Sequence, residues 1–249
     1  MININSLGIL GQFYLNIKKS LRTVYQNSNF YEKKISKTFK NNFEYKPSPH
    51  LLSSVIKFRN KKYKIEDFAI ESIWQNNLNL KDYERINNFF WFFSLDLKSS
   101  KKTTQSVIKN WISKNGRYHK KSWDFDVTAK RIISWLSNHQ LTYENSDQEY
   151  RIIFDHMIQK QTNHLLNEIK NSKKLENKMI GCAAIILTGL AYKNEKQYLE
   201  NGLNLLKSII KSSIDNQGFP KSRNIRQLIF YLKYIIIIRE WFKESQNLI

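Results

Sequence analysis

Five histidines, His50, His119, His139, His156 and His164, are spread along the chain, and their spacing decides what they can do. None forms an HExxH pair or another close ligand pair. His156 and His164 would stand about 12 Å apart along one helix, too far to share a metal directly. No metal site is therefore expected. The glycines make neither a phosphate-cradling loop nor a G-x-S-x-G elbow, so no cofactor is expected either. The single cysteine, Cys182, excludes an intramolecular disulfide and a Cys-based zinc cluster. It lies in GCAAIILTGLA, where a small buried apolar thiol is the simpler role. What remains is a polar pair, Asn163-His164, inside QKQTNHLLNEIK. An amide can donate and accept at once, and an imidazole can carry a proton. The same pair would also suit the wet edge of an amphipathic helix.

The elements that must position these residues are helical. From residue 82 onward, apolar positions recur near every 3.6 residues with short polar breaks, which predicts helices near 83–98, 103–114, 124–139, 147–170, 175–191, 195–214 and 223–244. The breaks carry turn residues, as in Lys-Asn-Gly at 114–116 and Asp-Asn-Gln-Gly-Phe-Pro at 215–220. Asp82, Thr103 and Asp124 are the expected N-caps. Helices of such similar length, each with an apolar stripe, must stack as antiparallel hairpins, either as an open solenoid or closed into a toroid. No strict repeat of fixed period is present. Residues 1–80 differ: one helix-like stretch, a Lys/Asn-rich segment, an extended Tyr-Lys-Pro-Ser-Pro-His path and a possible hairpin in VIKFRNKKYKI. They predict an irregular arm packed on a helical body at 81–249.

Composition bounds the partners. The 249 residues are 41% hydrophobic and 14% aromatic, enough for a large core, and seven Gly with three Pro leave few tight turns of the kind that β-rich folds need. A net charge of +20 and an isoelectric point near 9.8 attract polyanions: nucleic acid, anionic lipid or acidic polysaccharide. The same wealth of Lys, Asn, Ile, Phe and Tyr is what an AT-rich genome supplies. The basic residues are scattered rather than gathered in one arm, so no nucleic-acid module stands out. The most apolar run, LIFYLKYIIIIREWF, is broken by Lys233 and Arg239 and is shorter than the roughly 20 residues a bilayer requires. The first residues lack the pattern of a signal peptide, so a cytoplasmic location is expected.

An ordered series of landmarks resembles one family. WFFSLDL (91–97), NWISKN (110–115), SWDFDVTAKRIISWLSN (122–138), the NHLL step at 163–166, IGCAAIILTGLAY and LENGLNLLKSIIKSSIDNQGFPKSRN (199–224) are together similar to the N-terminal helical part of heparinase II/III-like proteins. The resemblance spans roughly residues 45–245. It implies an all-α chain whose helical hairpins stack as an incomplete α/α toroid, and an acidic, uronate-containing polysaccharide as ligand. The family's enzymes are lyases that work by β-elimination: donors neutralise the uronate carboxylate, a base removes the C5 proton and an acid protonates the departing oxygen.

By this resemblance Asn163 would bind the carboxylate and His164 would stand beside it as the catalytic pair. Arg223, Asn224, Trp135 and Tyr231 are the candidate sugar contacts, Arg223 through bidentate pairing with carboxylate or sulfate. The alternative for Ser222-Arg223-Asn224 is a helix N-terminus capped by Ser222. The tryptophans otherwise lie at core spacings. Two departures reduce the catalytic expectation. Ile225 stands where the family's enzymes carry a proton-transferring Tyr, and Tyr231 and Tyr234 are off that position. The family's C-terminal β-sandwich, which supplies further groups, has no counterpart after Trp241, so a separate β-sandwich partner would have to complete a lyase. The competing expectation is a non-catalytic helical scaffold whose basic surface binds protein or nucleic acid.

Overall fold

A computed structural model of the protein describes residues 4–39, 43–48, 51, 79–95, 101–172, 174–193 and 196–246, with side chains from residue 12 onward. Its helices are α1 (Ile4–Gln26), α2 (Asn29–Ile35), α3 (Leu80–Asn87), α4 (Lys101–Asn115), α5 (Phe125–Ser137), α6 (His139–Thr142), α7 (Gln148–Glu168), α8 (Leu175–Ala191), α9 (Lys196–Ser213) and α10 (Ile225–Glu244). Short 3₁₀ turns occupy Phe90–Ser94 and Ile169–Asn171. Among the described residues the only β feature is an isolated bridge between Ile214 and Pro220. The chain is all-α.

Helix α8 sits at the centre. Every residue from Met179 to Ala191 is buried, as expected of a helix that is apolar on all sides. It packs against α5, α7, α9 and α10. Helices α8 and α9 approach closely at a glycine on each: a Cβ on Gly189 of α8 would lie 2.5 Å from the backbone nitrogen of Leu199, and one on Gly202 of α9 would lie 2.6 Å from Ile186 Cγ1. The Cys182 thiol uses this proximity to donate to the Gly202 carbonyl at 3.2 Å, and burial pushes it up to about 12. It is a packing residue.

One predicted helix is corrected. Residues 83–98 do not form a single helix, because α3 ends at Asn87 and Phe89 takes a left-handed conformation with φ of 58°. Side chains of α5 and α4 account for the break. Arg131 Nη1 donates to the Asn87 carbonyl at 2.8 Å, Ser134 Oγ donates to the Phe89 carbonyl at 2.6 Å, and Trp111 Nε1 donates to Asn87 Oδ1 at 2.8 Å. The Phe89 ring is thereby placed among Trp91, Phe92, Trp111 and Trp135. Burial of that ring offsets the backbone strain.

The caps are also partly corrected. Asp124 caps α5 as expected, accepting from the Asp126 N–H. Asn79, not Asp82, caps α3, and Thr103 lies inside α4. Ser222 does not cap α10; Asn224 does, accepting from the N–H groups of Arg226 and Gln227. The Lys/Asn-rich stretch of the arm contains α2, capped by Ser28. The hairpin predicted in VIKFRNKKYKI lies outside the described residues.

The arm is tied to the body. Beyond α2, Phe43 packs against Tyr143 and Tyr192, and the Glu44 N–H donates to the Ala191 carbonyl at 2.9 Å. The Tyr45 hydroxyl and the Ser48 N–H both donate to Glu244 Oε2, at 2.8 and 2.9 Å, fixing the extended segment to the end of α10.

Candidate functional site

The stretch of α7 that carries Asn163 and His164 is buried, unlike the edge of an amphipathic helix. Gln159, Lys160, Gln161, Thr162 and His164 are all within the protein, and Asn163 is half-buried. Buried polar groups require partners, and most of these face the arm. Asn163 Nδ2 donates to the carbonyls of Ile35 and Lys37 at 2.9 and 2.8 Å, while its Oδ1 accepts from the Tyr198 hydroxyl at 3.0 Å. Gln159 pairs with the backbone of Phe39 in both directions, accepting at 2.8 Å and donating at 3.2 Å. Lys160 pairs with Glu32 and donates to the Gly116 carbonyl. This turn of α7 is a clamp on the arm.

His164 is held at both ring nitrogens. Nε2 lies 2.9 Å from the Trp123 carbonyl, which only accepts, so Nε2 carries the hydrogen and Nδ1 accepts from the Tyr31 hydroxyl at 2.7 Å. Burial, with smaller contributions from Arg131 and Arg22, lowers the imidazole to about 3. It is neutral across the physiological range and has no free nitrogen in this arrangement. Burial also raises the Tyr31 phenol above its ordinary value. The pair is fitted to hold position rather than to exchange protons.

Beside His164 opens a cleft of about 720 Å³. Helix α1 supplies Lys19, Arg22, Thr23 and Gln26 to one wall. The α4–α5 connection supplies Tyr118, Lys120, Trp123 and Asp124, and the α7–α8 junction supplies Glu168, Asn171, Lys174 and Asn177. Aromatic rings form the floor: Tyr118 lies 5.5 Å and Trp123 5.4 Å from the His164 ring, centroid to centroid. The Tyr118 hydroxyl donates to Gln26 Oε1 at 2.8 Å, and Arg22 pairs with Glu168 across the cleft. Among the described residues, Lys19, Lys120 and Lys174 on the lining have no ion-pair partner, against Glu84 and Asp124 among the carboxylates. Trp123 and His164 are buried, so the cleft offers the half-buried Tyr118 ring, amides and three ammonium groups to a polar ligand.

The other candidate residues lie elsewhere. Trp135 is enclosed by Phe89, Trp111 and Phe154, which leaves no ring face for a sugar. Tyr231 is fully buried in α10. Arg223 has a left-handed backbone and pairs with Asp215 at 2.8 Å, bracing the turn that Asp215 organises by accepting from the N–H groups of Gln217 and Phe219. Asn224 is the α10 cap. Of the six candidates only His164 lines the cleft, and Asn163 lies next to it with both amide hydrogens on the arm. Sequence reasoning missed Arg22, Tyr31 and Tyr118. Their signal was indirect: a run of six polar residues, 159–164, between apolar stretches of one helix must face polar partners or water on every side. Among the described residues no group of three or more His, Cys, Asp or Glu side chains could hold a metal.

A second buried acid modulates the response to pH. Asp155 accepts from the hydroxyls of Tyr143 at 2.9 Å and Tyr192 at 2.7 Å, yet burial outweighs these bonds and raises its carboxyl to about 6. As pH falls below about 6.5, the unfolded chain protonates its histidines while His164 stays neutral, so His164 makes stability fall toward pH 3. From about 6 down to about 4, folded Asp155 takes up a proton that the unfolded chain does not, so its contribution rises as pH falls. The slopes oppose each other. Asp155→Asn should therefore lose stability faster than the wild type between pH 6 and 4, by roughly 1 kcal/mol per unit, in urea unfolding at several pH values. Equal slopes would show that Asp155 titrates as in the unfolded chain.

Compared with known proteins, the chain matches no family model, no curated sequence and no solved structure. No described helix is long and apolar enough to cross a membrane.

Proposed function

We propose that the protein is a non-catalytic glycan-binding domain whose helices form the incomplete α/α toroid that the heparinase II/III-like landmarks imply, and that an acidic, uronate-containing chain binds in the cleft beside His164. The cleft carries this reading: the half-buried ring of Tyr118 suits a sugar face, and Lys19, Lys120 and Lys174 suit its carboxylates. The charge of +20 favours encounter with a polyanion. Catalysis is a poor match for the same site. Asn163 has committed its amide to the arm, His164 has committed both ring nitrogens, and Ile225 occupies the position of the family's Tyr. Lyase chemistry would need proton-transferring groups other than these.

Binding of hyaluronan, heparan sulfate and alginate oligosaccharides, followed by calorimetry at physiological salt, tests this. At least one should bind, and Lys120→Ala/Lys174→Ala and Tyr118→Ala should each weaken it by on the order of tenfold. No unsaturated uronate should accumulate in ultraviolet absorbance. Affinity unchanged in both variants would remove the cleft from the interaction, and product formation that depends on Asn163 would establish a lyase.

A further inference from the structure

Helix α1 is docked the wrong way round for a helix that serves only the core. Arg22 and Gln26, on one side, bond to Glu168 and Tyr118, and Lys19 and Thr23 line the cleft from the same side. At about 100° per residue, Phe13, Tyr14, Ile17, Leu21, Val24 and Tyr25 fall within an opposite arc of roughly 120°. All six are exposed, from 37% for Tyr25 to 70% for Val24. Phe30, exposed at the start of α2, extends the stripe next to Tyr25, at 6.2 Å between ring centroids. Leu15 is exposed outside the arc. An apolar surface this continuous is a contact surface.

Charge selects the occupant. Helix α1 contains no Asp or Glu, Lys18 is exposed just beyond the arc, and Lys33 and Lys34 are exposed three and four residues after Phe30 on α2. A second copy of this chain would bring +20 against +20. We propose that α1 is an interfacial helix that seats the protein on an anionic lipid surface, its aromatic and aliphatic stripe entering the headgroup boundary and its lysines contacting acidic headgroups. The helix lies on the bilayer and does not span it. The polar side remains bonded to the cleft wall, so lipid contact leaves the Arg22–Glu168 and Gln26–Tyr118 links in place. This inference is independent of the glycan reading.

Co-sedimentation with phosphatidylcholine vesicles, with and without phosphatidylglycerol, tests it on the whole chain. The wild type should sediment only with phosphatidylglycerol present. Ile17→Ser/Leu21→Ser, which keeps every charge, should lower partitioning on the order of tenfold or more. Both substituted side chains are exposed, so circular dichroism and urea unfolding should match the wild type. Three results would overturn the proposal. One is absence of binding to the acidic vesicles, and another is equal binding by the serine variant, which would mean attraction by net charge alone. The third is a lipid-free dimer of the wild type that the serine variant abolishes, which would assign the stripe to a second copy.

Discussion

Arg131→Ala will remove about 3–5 kcal/mol of stability, a large part of the roughly 5–15 kcal/mol that holds a typical domain folded. The guanidinium is fully buried and, among the described residues, pairs with no carboxylate. It is satisfied instead by Gln161 Oε1 at 2.7 Å, the carbonyls of Asn87 and Ser122 at 2.8 and 2.9 Å, Thr128 Oγ1 at 3.2 Å and the face of Trp111 at 4.0 Å. Alanine would leave several buried acceptors empty together. Those acceptors belong to α3, the α4–α5 connection, α5 and α7, so the loss would loosen the broken end of α3 and the strand of chain that also presents Trp123 to the cleft. Lysine would rescue little, because a single ammonium cannot reproduce the fork of donors. Urea unfolding measures the loss, and a value under about 1 kcal/mol would mean that water replaces the guanidinium.

Gly189→Ala should have the second largest effect, about 2–3 kcal/mol. The added methyl would sit 2.5 Å from the nitrogen and 2.7 Å from the Cα of Leu199. Neither is an atom that a rotamer change can move, so α8 and α9 must separate. Gly181→Ala provides the contrast: its methyl would meet the ring tip of Phe125 at 2.4 Å, and a side chain can turn aside. Urea unfolding should rank Gly189→Ala well above Gly181→Ala. Separation of the helices should also stretch the bond from the Cys182 thiol to Gly202, making Cys182 more reactive to thiol reagents in the folded state. Equal stability of the two variants would show that α8 and α9 can part without penalty.

Much of the helical framework was legible because burial follows period. Helix α8 falls at the predicted 175–191, and Asp124 caps α5 as a side-chain oxygen before an apolar run should. The run FFWFFS hid the break after α3. Aromatic residues suit a helix as well as a core, and the left-handed turn at Phe89 depends on Arg131 and Ser134, more than forty positions away. The same nonlocality governed the site. QKQTNHLL showed an anomalous polar turn, but its partners in the arm lie 120 or more positions earlier, and periodicity within one segment carries no information about them. Trp135 and Tyr231 illustrate the converse: chemically suitable rings that tertiary packing encloses.

Over residues 35–39 the grip of α7 on the arm is blind to side chains, unlike its contacts with Tyr31 and Glu32. Asn163 holds the carbonyls of Ile35 and Lys37, and Gln159 holds the N–H and carbonyl of Phe39. Main-chain groups are common to almost every amino acid, so residues 37–39 can drift in sequence without releasing these bonds. Proline at position 39 is the exception, since it alone deletes the donated N–H. Variation is thereby permitted at residues 37–39 and concentrated as constraint on Gln159 and Asn163, the two amides that hold that segment.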